Sequence, residues 1–334
     1  MARRSTTATI SEVARHAGVS PATVSRVFND RFVGDPAVAD RVRASAAALN
    51  YTPNHHARSL ALGRTRAIAF VVPDLANPAF QAILSSLSKA AARDGYRVLV
   101  ADSDESSRDE PLLVDEVRRR CDAVVLCAPR MPDTQLADLA AVIRPLVLIN
   151  RPTPAVDAPS LSIDYQSGVR TLAEHLYGLG HRRMLYLEGP ESSVSNRYRL
   201  RGLEEFERAH PDVALSRMRG GFTSEDGVEA ASRVKASAAT AVLAYNDLVA
   251  IGLVNGLQEL GVRVPEEISV TGFDDIPFAR YTTPPLTTAS VPNSALGSQA
   301  WDRMHALLED EEPGADVVFQ PHLELRASTA APRS

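Results

Sequence analysis

Residues 9–29 read TISEVARHAGVSPATVSRVFN. Thr9 is an N-cap by type, and Glu12 three positions on completes a capping box. Ile10, Val13, Ala14 and Ala17 then recur at i, i+3, i+4 and i+7, which is one apolar helix face. Gly18 allows the left-handed residue that ends this helix. Ser20 caps the next helix, and Pro21 takes its first position, where a missing N–H costs nothing. Val24, Val27 and Phe28 point inward, which leaves Ala22, Thr23, Ser25, Arg26 and Asn29 outward. Two helices meeting across a short turn with glycine form a helix-turn-helix, whose second helix enters the DNA major groove. The competing reading is an ordinary αα-hairpin inside a core; the short, polar, basic outward face argues against it.

On the C-terminal side a third helix is predicted. Asp35 caps it, Pro36 opens it, and it runs to about Leu49 with Val38, Val42 and Leu49 inward. A three-helix head therefore spans 1–52. In the segment that follows, NYTPNHHARSLALGRTR, Pro53 stops a helix and Asn54 can cap a new one carrying Arg58 and Leu60. That piece is too short to be stable alone. Residues 53–66 are read as a linker, or as a helix that forms only with a partner.

Charge supports the division. Residues 1–66 hold ten arginines and four acids, a net +6, so a chain of −5 overall carries −11 in the remainder. A basic head on an acidic body localises polyanion binding to the head. The 334 residues exceed one typical domain. Cys121 and Cys127 suggest neither a disulfide framework nor a zinc site, and read as buried thiols. There is no 18-residue apolar run and no apolar segment after the N-terminal arginines, so a cytoplasmic, nucleoid-associated protein without membrane contact is expected.

From Ile68 onward apolar runs alternate with helical stretches. The runs are Ile68–Val72, Arg97–Ala101, Ala123–Cys127, Leu146–Asn150, Met184–Leu187, Ala241–Ala244 and Ile268–Phe273. Between them lie Phe80–Asp94, Ser167–Leu179 and Asp247–Leu260. Such alternation predicts an α/β core of doubly wound parallel sheets. The pattern pauses at RPTPAVDAPS after Asn150 and resumes, which suggests two lobes with a cleft. Ligands of open α/β sheets bind at the carboxyl ends of strands. Asn246 and Asp247, Asp274 and Asp164 each follow such a strand, and Phe80 and Phe222 offer stacking surface. Asp247 is read as a cap for the helix beginning at Leu248.

Taken together, VARHAGVSPATVSRVFN, NYTPNHHARSL, PDLANPAF, GPESSVSNRYRLRGL, YNDLVAIG, SVTGFDD and PPLTT resemble the lactose-repressor (LacI/GalR) family of bacterial transcription regulators. The resemblance runs from Thr9 to about Arg326. It implies a homodimer with a helix-turn-helix head, a hinge helix, and a core shaped like a periplasmic sugar-binding protein. The effector-binding and dimerisation core would be 67–330, with one lobe of about 67–161 and 292–321 and another of about 162–291 and 322–330. It also implies a repressor of a carbohydrate operon, controlled by a small effector, with a sugar as the favoured class and a nucleoside, purine or other metabolite as the alternative. Residues 21, 22 and 26 would then read bases. Arg26 suits bidentate pairing with guanine, and Ala22 could at most meet a thymine methyl. Ser20, Thr23, Ser25 and Asn29 would contact phosphates. Leu60 would wedge into a base step from the minor groove, with Asn54 and Arg58 beside it.

In the cleft, the family carries an arginine in an R-x-x-G arrangement, and Arg199 fits that spacing before Gly202. Its planar donor fork suits hydroxyls or a carboxylate. Three positions depart from the lactose-repressor pattern: Cys127 and Asn150 stand for asparagine and aspartate, and Asn293 for phenylalanine. No phosphate loop, metal-ligand cluster or Ser-His-Asp signature is present, so neither an enzyme nor a resident cofactor is expected. The C-terminal STAAPRS lacks leucine heptads, which predicts a dimer rather than a tetramer.

Overall fold

A computed structural model of the chain describes residues 8–28, 32–51, 64–154 and 156–333. Two compact units divide at Thr65 and Arg66.

The first unit holds α1 (Ile10–Ala17), α2 (Pro21–Phe28) and α3 (Pro36–Ala48). The capping box forms: the Thr9 N–H donates to Glu12 Oε2 at 2.7 Å, and the Glu12 N–H donates to Thr9 Oγ1 at 3.4 Å. Gly18 takes φ 67°, and its N–H returns to the Ala14 and Arg15 carbonyls. The Ser20 hydroxyl accepts from the Thr23 N–H at 3.1 Å. Asp35 caps α3 through the Ala37 N–H. Val13, Ala14, Ala17, Val24, Val27, Ala39, Val42 and Ala46 make the core, with Phe28 and Leu49 packed against it; Val38, expected inward, is not in it, and Ala39 and Ala46 take the core positions of α3 beside Val42. The Arg41 Nε donates to the Ala17 carbonyl at 3.0 Å and ties α3 to the end of α1.

The second unit begins with β1 (Ala67–Val72), α4 (Pro78–Arg93), β2 (Arg97–Asp102), α5 (Glu110–Arg118), β3 (Ala123–Cys127), α6 (Asp133–Val142), β4 (Leu146–Ile149) and β5 (Ser160–Ile163). It continues with α7 (Tyr165–Gly178), β6 (Arg183–Glu188), α8 (Val194–Ala209), β7 (Ala214–Arg219), α9 (Ser224–Ala236), β8 (Ala241–Ala244), α10 (Asp247–Glu259) and β9 (Ser269–Asp274). A 3₁₀ turn (Pro277–Arg280), β10 (Thr287–Ser290), α11 (Asn293–Leu308), β11 (Val317–Phe319) and β12 (His322–Glu324) complete it.

One sheet has the order β11-β5-β4-β3-β1-β2 and the other β12-β10-β9-β8-β6-β7. All pairings are parallel except β10 with β12. Each lobe repeats one doubly wound plan, in which the first strand lies between the second and third, so each has its switch point at the same place. The chain passes between sheets after β5, after β10 and between β11 and β12. The expected lobe boundary at 161/162 falls inside β5, which pairs with β4 and β11 in the first sheet.

Strands β1, β3, β4 and β8 are buried throughout, hence their continuous apolar runs; β5, SLSI, is buried too but carries two serines. β7, ALSRMR, is a mostly exposed edge strand and carries no such run. β10, β11 and β12 are three or four residues long and owe their extended form to their neighbours. None of these four was expected. Helix pairs pack closely through glycines. A Cβ on Gly202 would meet the Gln166 carbonyl at 2.3 Å, and one on Gly252 the Ser224 carbonyl at 1.9 Å. Cys121 and Cys127 are buried free thiols; burial pushes the first up to about 11 and raises the second further.

Candidate functional site

In the head, α2 exposes Pro21, Ala22 and Arg26, half-buries Thr23 and Ser25, and buries Val24 and Val27. The Arg26 Nε rests on the Ala22 carbonyl, one turn back, at 3.3 Å. The Ser20 oxygen is occupied as a helix cap and lies 3.0 Å from the Thr23 hydroxyl. Asn29, Asn54, Arg58 and Leu60 lie outside the described residues.

In the core, a cavity between the lobes is lined by Phe80, Arg199, Phe222, Asn246 and Asp274, all five named from sequence. Asp164 is not among its lining residues. Its carboxylate instead caps α7 by accepting from the Ser167 N–H at 2.9 Å, and its own N–H donates to the Phe319 carbonyl. A strand-end aspartate that opens a helix satisfies that helix first.

Arg199 is the centre of the site. Its side chain is 2% exposed, yet Nε and Nη1 have no hydrogen-bond partner among the described residues. Its guanidinium lies over Phe273 at 4.0 Å, Tyr165 at 4.4 Å and Tyr245 at 4.7 Å, and 4.0 Å from the Asp274 carboxylate. The local sequence explains this placement. Ser193 caps α8 through the Asn196 N–H. The Asn196 Oδ1 accepts from the Tyr186 hydroxyl at 2.8 Å and the Gly189 N–H at 3.1 Å. The bare Gly202 then lets α7 approach, which brings Tyr165 beneath the guanidinium.

Asp274 ends β9 at φ 110°. Burial lifts its carboxyl to about 7, against the opposing pull of Arg199. The following loop is held by Asp247, which accepts from the Ile276 N–H at 2.8 Å and the Thr288 hydroxyl at 2.6 Å. Asp247 is fully buried and does not cap α10, contrary to expectation. The cap is Asn246, whose Oδ1 accepts from the Val249 N–H at 2.9 Å, while its Nδ2 donates to the Phe222 carbonyl at 2.9 Å. Burial and the neighbouring Asp274 raise the Asp247 carboxyl well above its usual range. Asn246 therefore positions Phe222 as much as it faces the cavity.

The first lobe adds groups that sequence reasoning passed over. Arg130 holds Glu105 by a two-point contact, 2.5 Å from Nε and 2.7 Å from Nη2, and both line the cavity with Asp74. Asn150 is buried, with its Oδ1 lacking a partner among the described residues. In the second lobe, Ser193, Ser195 and the Tyr245 hydroxyl form a triangle with 2.8, 2.9 and 3.2 Å sides. Asn150 and Asn293, both departures from the lactose-repressor pattern, line the cavity. The cavity thus offers two nitrogens with unmade N–H bonds, one unmade oxygen acceptor, a carboxyl that burial makes easier to protonate and several ring faces. That set suits reversible recognition of a hydroxylated molecule. No cluster able to hold a metal ion occurs among the described residues, and no helix there is long and apolar enough to cross a membrane.

Comparison with known proteins finds relatives of both units of the chain. Residues 9–54 match the model for bacterial regulatory proteins of the lacI family, and residues 173–329 match a periplasmic binding protein-like domain. The HTH-type transcriptional regulator GalR of Escherichia coli K12 is 34% identical over 331 residues, covering 97% of this chain and 96% of that one. The HTH-type transcriptional repressor CytR of the same strain is 30% identical and covers 98% of both chains. Among solved structures, the lac repressor dimer bound to operator and the anti-inducer ONPF superposes with a TM-score of 0.87 at 28% identity, over 97% of this chain and all of that one. A complex of the transcriptional regulator CelR with cellobiose gives 0.69 at 28% identity, over 96% and 99%. These relatives are transcription regulators, not enzymes. With GalR matched at this identity over nearly its whole length, and the head and core laid out in the same order, this chain belongs to the lacI family of bacterial regulatory proteins.

Proposed function

We propose that this regulator is a homodimeric repressor of a carbohydrate operon, released or reinforced by a sugar bound between its lobes. The observation that carries the sugar reading is Arg199, a buried guanidinium with two unmade N–H bonds in the cavity that Asp274 and the Asn150 oxygen also line. Buried donors left unmade cost free energy, so the cavity favours an occupant that supplies acceptors there. Hydroxyl groups supply acceptors to Arg199 and donors to Asn150 and Asp274, while Phe80 and Phe222 cover a ring. The similar lac repressor and CelR structures are complexes with ONPF and cellobiose. A nucleoside or purine is the competing occupant.

On DNA, Arg26 reads a guanine, Ser20, Thr23, Ser25 and Asn29 hold phosphates, and the Asn54, Arg58 and Leu60 segment bends the duplex at the operator centre. Pro21 and Ala22 read little, so specificity rests on Arg26 and on deformation of the central step. A two-fold dimer implies pseudo-palindromic half-sites. Two experiments test the proposal. A thermal-shift screen sets neutral sugars against nucleosides and purines; a response to nucleosides alone overturns the sugar reading. Leu60→Ala is expected to keep the fold and lose most operator affinity, and unchanged operator binding overturns the wedge.

A further inference from the structure

We propose that the core carries a second ligand site outside the cleft, a groove that takes a small phosphate-bearing metabolite and ties the two lobes together. The groove lies between the loop after β4, with Pro152 and Pro154, and the outer face of α8. Arg197 and Arg201 stand four residues apart on that helix and are both exposed. Residues at this spacing are neighbours on one face, and like charges there work against the helix. Neither side chain has an ion pair or hydrogen bond among the described residues; Arg201 only lies over the Tyr198 ring at 5.4 Å. A third cation, Arg151, lines the same groove. Four of its five N–H groups are engaged, by the Pro129 and Met131 carbonyls at 2.6 Å each and by Asp133 at 2.9 and 3.3 Å. Asp133 is the one carboxylate among the lining residues described, and it is already engaged by Arg151.

The groove therefore presents three positive charges against one negative, with two free guanidinium forks. Such forks bind phosphate at two points. The charges line one pocket rather than a stripe, which fits one or two phosphate groups better than a nucleic-acid backbone. The two walls come from different lobes, since the loop follows β4 of one sheet and α8 follows β6 of the other. A phosphate bridging them binds one relative arrangement of the lobes better than another, and that difference makes it an effector. Arg199 lies between Arg197 and Arg201 in sequence, on the opposite side of the same helix, facing the cleft. α8 thus connects the groove to the cleft, and this second site stands whether or not the cleft ligand is a sugar.

The test is calorimetric titration of the full chain with pyrophosphate at constant ionic strength. The wild type is expected to bind, the Arg197→Gln/Arg201→Gln variant to lose about tenfold or more in affinity, and Arg199→Met to bind as the wild type does. Both substituted side chains are exposed, and an unchanged unfolding midpoint verifies the fold. The Arg197→Lys/Arg201→Lys variant, which keeps the charge, is expected to recover part of the affinity. Absence of binding by the wild type overturns the proposal. So does loss in Arg199→Met with retention in the double variant, which puts the phosphate in the cleft. A double variant that weakens on duplex DNA while still binding pyrophosphate makes the groove a DNA surface and also overturns it.

Discussion

The Arg199→Met variant replaces a guanidinium that is 2% exposed with an unbranched apolar side chain. In the unliganded chain Nε and Nη1 are buried without acceptors, at a cost of about 1–3 kcal/mol each. Against this stand three ring faces at 4.0, 4.4 and 4.7 Å, each returning about 0.5–2 kcal/mol. The ion pair with Asp274 at 4.0 Å is worth about 4 kcal/mol at an effective dielectric of 20, if both ends are charged. With the carboxyl lifted to about 7, that attraction operates roughly half the time at neutral pH. Burying the methionine adds about 1.5–3 kcal/mol to the variant. The sum lies near zero, so unliganded stability is expected to stay within about 2 kcal/mol of the wild type, a shift of at most about 4–8 °C in unfolding midpoint. The ligand, in contrast, loses two bonds from a charged donor, about 1.5–3 kcal/mol each, or about a hundredfold or more in affinity. Differential scanning calorimetry without ligand reads the first quantity, and the sugar-induced shift reads the second. A midpoint fall of about 10 °C or more with the sugar response intact would refute the reasoning, because Arg199 would then be a structural support whose bonds are already satisfied.

Three further outcomes follow from named contacts. The Asp274 carboxyl sits at about 7 in the fold against an ordinary 3.8, so between about pH 4 and pH 7 the folded chain holds the proton more tightly than the unfolded one. Its contribution is therefore fully present at low pH and is lost as pH rises through about 7; Asp274→Asn should flatten that fall, read as the difference in unfolding midpoint between variant and wild type across the range. Asp247, Glu110 and Asp74 are also raised by burial, so the slope of the wild type alone does not isolate Asp274. Gly252→Ala forces a Cβ to within 1.9 Å of a backbone oxygen on α9 and is expected to destabilise the core by about 1–3 kcal/mol or more; an unchanged midpoint would contradict so close a crossing. Arg26→Ala is expected to cost about 1–3 kcal/mol on operator DNA and much less on random duplex, measured by fluorescence anisotropy at fixed salt. An equal loss on both would make Arg26 a phosphate contact.

The head was legible because its determinants are short-range. Thr9, Glu12, Gly18, Ser20 and Asp35 act on backbone groups within four residues, and the apolar positions of α1 reach the core at their helical spacing. The central strands were legible too, since burial on both faces demands apolar runs. β7, β10, β11 and β12 escaped because their form comes from pairing partners: β7 has an exposed mixed pattern and β10 reads TTAS, whereas the edge strand β2 keeps the apolar run VLVA and was legible. The same limit governs the cleft. Arg130 and Glu105 are 25 residues apart and meet only through the fold of the first lobe. Asp164 and Asn246 looked alike as polar strand-end residues; both cap helices, but only Asn246 also lines the cavity. Asp247 seemed a cap and instead braces the loop behind Asp274.

By itself, then, the sequence determined the two-part design: a capped, basic helix-turn-helix ahead of a repeated strand–helix core, with Arg199 marked out by its spacing to Gly202. Those are properties of neighbouring residues. What tertiary structure decided was which polar groups remain unsatisfied. Arg199 and Asn150 are ordinary side chains in sequence, and they become a recognition site because packing from both lobes removes water from them without supplying partners.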